Sequence, residues 1–163
     1  MALRLPHRRL AEDFVRAHRD NHWRSLGNLV DRNFDEVAKQ ADPGTLVSGS
    51  VTTTDATVTT ILSIEVPTST TTGLDITVLA RRTGGSAGAA EDGAHYKRHA
   101  TYKNVAGTAT IIGAVSSPHT AESQAGWDVT FVPSGNRVEV RVTGALNNTV
   151  AWEAHARVHK VTA

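Results

Sequence analysis

Hydrophobic and polar positions alternate with two different periods along this chain, and the period changes once. Through the first forty residues the apolar positions Leu10, Phe14, Ala17, Trp23, Leu26, Val30, Phe34 and Val37 recur at steps of mostly three and four, with Arg, Asp and Glu between them. That spacing predicts a helical stripe. Pro6 suits a first helical turn, and Gly27-Asn28 predicts a break, so the segment reads as one kinked helix or two. Past "KQADPGT" (39–45) the period drops to two. Pro43-Gly44 supplies the turn at the boundary.

The second segment predicts about eight strands: 46–53, 57–66, 74–83, 94–103, 108–115, 127–133, 137–143 and 150–161. Leu74, Ile76, Val78 and Ala80 form one face; Trp127, Val129 and Phe131 form another, and Val138, Val140 and Val142 a third. Successive strand residues point to opposite faces, so each set buries one side of its strand. No helical period intervenes, and parallel strands would need crossovers of a dozen or more residues. The expected fold is mainly β: an antiparallel β-sandwich, jelly-roll-like, over residues 42–163, preceded by a helical docking or oligomerisation segment over 1–41. "RVEVRVTGALNNTVAWEAHARV" (137–158) reads as a closing hairpin through Gly144 to Asn148. Pairing Val142 with Trp152 would set Arg141 against Glu153 and Glu139 against His155, a register favoured by opposite charges.

Composition narrows the chemistry. At 163 residues one main domain is expected, and with no cysteine there is neither a disulfide nor a Cys-ligated metal or redox site. The formal charge of +1 provides no general field for nucleic acid, and no run of eighteen apolar residues marks a membrane span. The N-terminus is too charged for the apolar middle of a signal peptide, so a soluble protein made in a cytoplasm is expected.

Candidate motifs each meet a plainer reading. "RRTGGSAGAAEDGA" (81–94) lacks the Lys and the following helix of a phosphate-binding loop, which leaves a hairpin loop. His155 and His159 share a strand face but sit roughly 13 Å apart along it, too far for one zinc ion, and His95 and His99 fail likewise. His18 and His22 have helical spacing but no HEXXH context. Ser116, Ser117 and His119 lack a nucleophile elbow, and Glu91-Asp92 have no defined separation. No catalytic, cofactor or metal residues are assigned.

The helical segment says more. Burying seven large apolar side chains yields on the order of 10–20 kcal/mol, while ordering some thirty residues costs roughly 30–60 kcal/mol before hydrogen bonding. It cannot stand alone. Leu10, Phe14, Trp23, Leu26, Val30, Phe34 and Val37 are therefore the expected docking or oligomer interface, on the chain's own sandwich, on copies of itself or on a larger assembly. Arg98 interrupts the apolar face that Tyr96, Ala100 and Tyr102 define, and is the candidate for an ion pair at a subunit contact or within the chain.

Ala80-Arg81-Arg82 before the Gly-rich loop, Gly93 to Tyr96, Tyr102-Lys103, Gly107, Gly113, Trp127-Asp128-Val129, the Val138 to Gly144 strand and turn, and Trp152 form a recurring set. Over Leu74 to Val158, about half the chain, this set resembles the C-terminal β-sandwich of tailed-bacteriophage virion proteins, especially tail fibre and minor tail proteins. The resemblance implies a structural module that trimerises or decorates a particle, with Tyr96 and Tyr102 packing, Gly107 turning the chain, and Ile111 and Val115 filling the core. The expectation is a non-enzymatic virion protein assembled in the host cytoplasm. Its partners would be other virion proteins, copies of itself as a homotrimer, and a host surface glycan, with no nucleic acid, membrane or cofactor. A capsid decoration or head fibre role and a host-glycan-binding module are the alternatives.

Overall fold

A computed structural model describes residues 44–162. The chain divides into two units, Met1–Asp42 and Pro43–Ala163. The expected helical interface of Leu10, Phe14, Trp23, Leu26, Val30, Phe34 and Val37 lies outside the described residues.

The described part is all β. Its nine strands are β1 (Thr45–Thr53), β2 (Thr59–Glu65), β3 (Thr70–Gly85), β4 (Gly93–Val105), β5 (Thr108–Ile111), β6 (Ser116–Glu122), β7 (Asp128–Ser134), β8 (Arg137–Thr143) and β9 (Asn148–Thr162). They form two antiparallel sheets. The larger runs β1-β9-β3-β4, with β5 and β6 sharing the far edge of β4; the smaller runs β2-β8-β7. β5 pairs the end of β4 from Tyr102 to Val105, and β6 pairs its beginning from Ala94 to His99.

One core joins the sheets. Leu74, Ile76 and Val78 from β3 and Trp152, Ala154 and Ala156 from β9 meet Val138, Val140 and Val142 from β8 in a single cluster. At its centre the Trp127 ring stands edge-on to Trp152 with centroids 5.7 Å apart, and Tyr96 lies stacked on Trp152 at 6.4 Å. Such aromatic pairs add about 0.5–1.5 kcal/mol beyond the area they bury. Trp152 Nε1 donates to Thr53 Oγ1 at 2.9 Å, which ties the core of the large sheet to its edge strand. Gly49 of β1 is small of necessity: a Cβ there would stand 2.4 Å from the Ile61 carbonyl oxygen of β2, where the two sheets approach.

Four expectations need correction. A ninth strand, β6, was not expected; "SSPHTAE" is exposed at every position and so carries no two-residue period. Its Pro118 fits an edge strand, where a missing N–H costs no ladder bond. The 137–158 hairpin does not form. β8 pairs with β2 and β7, whereas β9 pairs with β1 and β3, so residues 144–147 hand the chain from one sheet to the other. The inward residues of β8 and β9 are both apolar and face each other across the core, which buries two faces where a flat hairpin would bury one. Glu139 then takes its partner on its own strand: Arg141 Nη2 lies 2.7 Å from Glu139 Oε2 and holds that carboxyl below the usual glutamate range. Ile111 does not fill the core; it ends an edge strand and is 37% exposed, while Ala109 takes the inward place and Val115 packs against the core from outside. The division into six and three strands also departs from the two four-stranded sheets of a symmetric jelly roll.

The Gly-rich connection between β3 and β4 is a hairpin loop, laced from within. Arg82 Nε donates to the Ala87 carbonyl at 2.8 Å and Nη2 to that of Gly85 at 2.6 Å. Asp92 Oδ2 accepts from Ala89 N and Gln124 Nε2, each at 2.7 Å. At the other end of β4, Ala106 and Gly107 both take positive φ, 55° and 87°, in the two-residue turn that matches the twist of a hairpin.

Candidate functional site

The residues with chemistry on them collect on the outward face of the large sheet. Strand parity puts them there. In β3, Leu74, Ile76 and Val78 point to the core, so Asp75, Thr77 and Leu79 point away; in β4, Tyr96, Arg98 and Ala100 point inward, so His95, Lys97 and His99 point out. β9 alternates in the same way and presents Glu153, His155 and Arg157.

Register then brings together residues far apart in sequence. Asp75 lies opposite His99 on one side and Arg157 on the other, and Thr77 lies between Lys97 and His155. The Asp75 carboxylate reaches both flanking strands: Oδ1 is 3.8 Å from His99 Nε2, and Oδ2 is 3.4 Å from His159 Nε2. His155 Nε2 is 3.0 Å from Glu153 Oε1. Across the next gap, the rings of His95 and His119 tilt against each other with centroids 4.8 Å apart. Desolvation, then the neighbouring His119 and Lys97, hold the His95 imidazole below its ordinary pKa.

Two shallow depressions open on this face. One, of about 430 Å³, is lined by Leu46, Asp75, Thr77, Lys97, His99, His155 and Arg157 among others. The second, of about 510 Å³, is lined by His95, Lys97, His99, Pro118 and His119. They share Lys97 and His99, so they form one trough across β9, β3, β4 and β6. Imidazoles, two fixed cations, a hydroxyl and a carboxylate give it hydrogen-bond donors and acceptors beside net positive charge. Among the described residues, no group of three His, Cys, Asp or Glu side chains is placed to hold a metal ion.

Arg98 sits behind this face, 6% exposed. Its Nη1 donates to the carbonyls of Lys97 at 3.0 Å and His119 at 2.9 Å, and to Thr120 Oγ1 at 2.9 Å. Its guanidinium lies 5.0 Å from the centre of the Tyr96 ring. The buried charge thus binds the edge strand β6 to β4 through oxygen acceptors and a ring face. Among the described residues no carboxylate lies within ion-pair distance of it, so the intrachain alternative has no partner there. Tyr96 is bonded to the same strand, its hydroxyl donating to Glu122 Oε2 at 2.7 Å.

Sequence reasoning singled out Arg98 but missed Asp75, Thr77, Lys97 and Arg157. It weighed the histidines in pairs along one strand. The neighbours that matter stand across strands, and only the polar residues of "LDITV", "HYKRH" and "AHARV" hinted at a polar face.

No protein-family model matches the chain, and no curated protein is similar to it. Among solved structures, similarity is found to phage tailspike proteins. The Acinetobacter baumannii phage AM24 tailspike matches with a TM-score of 0.43 at 9% identity, over 69% of this chain and 26% of that one. The tailspike of Acinetobacter phage vB_ApiP_P1 matches with a TM-score of 0.35 at 16% identity, over 72% and 22%. Tailspike gp49 of Acinetobacter baumannii bacteriophage Fri1, a capsular polysaccharide depolymerase, matches with a TM-score of 0.36 at 14% identity, over 71% and 19%. The chain spans about a quarter or less of each of these proteins. The expectation of a non-enzymatic protein does not stand, because the Fri1 protein is described as a depolymerase, which is an enzyme.

Proposed function

We propose that this chain is a tail-associated virion protein of a tailed bacteriophage whose β body meets polysaccharide on the host surface. In this reading the segment 1–41 docks on other virion proteins or trimerises with copies of itself through Leu10, Phe14, Trp23, Leu26, Val30, Phe34 and Val37. Tail placement is favoured over capsid decoration by the resemblance of Leu74–Val158 to tail fibre and minor tail proteins.

The observation that carries the reading is the convergence of those resemblance residues. Tyr96, Trp127 and Trp152 are spread over more than fifty positions, and they assemble into one aromatic node at the centre of the fold. A motif set whose members touch is an architectural set: it keeps a body in shape. The same sheet leaves its other face polar, and such a face suits hydroxyl-rich ligands that are held by many modest hydrogen bonds.

Truncation before Asp42 tests the docking role. The expected product is a folded β body, with a β-type far-ultraviolet spectrum and a cooperative unfolding transition, that no longer enters particles. Incorporation of the truncated chain at the full-length level overturns the assignment to 1–41. The mass of the full-length protein in solution tests the trimer directly, and a monomer at particle-forming concentration counts against it.

A further inference from the structure

We infer that the trough on the outward face of the large sheet binds a polysaccharide that bears carboxylates. The inference deepens the reading above by naming the ligand class and the residues that take it. Lys97 and Arg157 line the trough as fixed cations at diagonal corners, His155 and His99 take the other two, and Thr77 and Asp75, the acid among them, lie between on β3. Asp75 is already engaged by His99 and His159, on strands to either side. It marks where a negative oxygen is welcome. A carboxylate on a ligand would find His99, His155 and the Arg157 fork in the trough, and that fork matches a carboxylate with two parallel donors.

The shape fits a chain better than a single ring. Four adjacent strands contribute, and at about 4.8 Å per strand gap the trough is roughly 15 Å across. Thr77 and the imidazoles supply donors and acceptors for hydroxyls between charges. The charge density argues against nucleic acid as the occupant. Single-stranded nucleic acid needs a track of cations together with aromatic platforms. Here both tyrosines, Trp127 and Trp152 are buried in the core, so none of them is offered on this face.

The test is titration of the full-length protein with polygalacturonate, with neutral dextran and poly-dT as the contrasting probes, at low and moderate salt. Polygalacturonate should bind and weaken as salt rises, and dextran should not bind. The double substitution Lys97→Ala, Arg157→Ala should weaken binding by roughly tenfold or more. Asp75→Asn should tighten it, because the internal competitor loses its charge. Arg137→Ala, the loss of one cation from the small sheet, should leave it unchanged. Equal binding of dextran, poly-dT binding as tight as polygalacturonate, no polygalacturonate binding, full affinity in the double variant, or no gain in Asp75→Asn would each overturn the inference. These readouts are separate from particle incorporation, so a failure here leaves the docking role of 1–41 to stand or fall on its own test.

Discussion

The two faces of the large sheet are built from the same strands and share a backbone, yet they behave as different materials. On the inner face Ile76, Val78, Tyr96, Trp152 and Ala154 are each no more than 2% exposed. On the outer face Asp75, Lys97, His99, His155 and Arg157 are exposed. The contrast teaches that a period of two lets one strand hold a fold on odd steps and offer chemistry on even ones. Change on one face should cost stability with little effect on ligands, and change on the other should do the reverse.

The hardest blow to that contrast falls at the aromatic node. Trp152→Ala removes the partner of both Trp127 and Tyr96 and orphans Thr53, so unfolding by urea should show a loss of about 3–5 kcal/mol. A loss below about 1 kcal/mol would mean that the node does not hold the sheets together. Next comes Arg98, which belongs to the inner face by parity and serves the edge strand by reach. Arg98→Met keeps the bulk and drops the hydrogen bonds to His119 and Thr120. The expected cost is about 2–3 kcal/mol, with faster amide exchange confined to 116–122. Uniform exchange across the sheet would show that the guanidinium is not what clasps β6.

Tyr96 sharpens the comparison through pH. Burial first, then the bond to Glu122, pushes its phenol well above the ordinary tyrosine range, and burial pushes Tyr102 in the same direction. The folded state therefore keeps protons that the unfolded chain releases near pH 10. Stability from these groups is fully present below about pH 10 and falls as pH climbs past it. Tyr96→Phe should cost about 1 kcal/mol at neutral pH and lessen the alkaline slope, with Tyr102 supplying the remainder. An unchanged slope would mean that the Tyr96 hydroxyl is not kept from water. The smallest effect belongs to the outer face: Lys97→Ala should alter stability by no more than about 0.5 kcal/mol. A larger drop in the same urea experiment would show that this face supports the fold after all.

Much of the inner face was legible in the sequence, because burial writes itself as alternation. Leu74 to Ala80 and Val138 to Val142 were placed on one side of their strands, and they line the core. β6 was illegible for the converse reason: an edge strand wet on every residue has no pattern to show. The 137–158 hairpin misled because Gly144 to Asn148 satisfies the chemistry of a turn whether the next strand returns beside the last or crosses to the other sheet. Charge pairing could not decide between these, since each surface pair is worth only a few tenths of a kcal/mol. The outer face was half legible. Its residues were visible one strand at a time, but the meeting of Asp75 with His99 and His159 depends on registers set by the core beneath them.

One late strand has a consequence for how the protein is made. β9 lies between β1 and β3 and is hydrogen-bonded to both, although nearly a hundred residues separate it from the first. Until the ribosome has released Asn148 to Thr162, β1 has no neighbour in its sheet. From β1 onward the emerging chain must carry an incomplete sheet until β9 appears, and that strand acts as the keystone that locks β1 to β3.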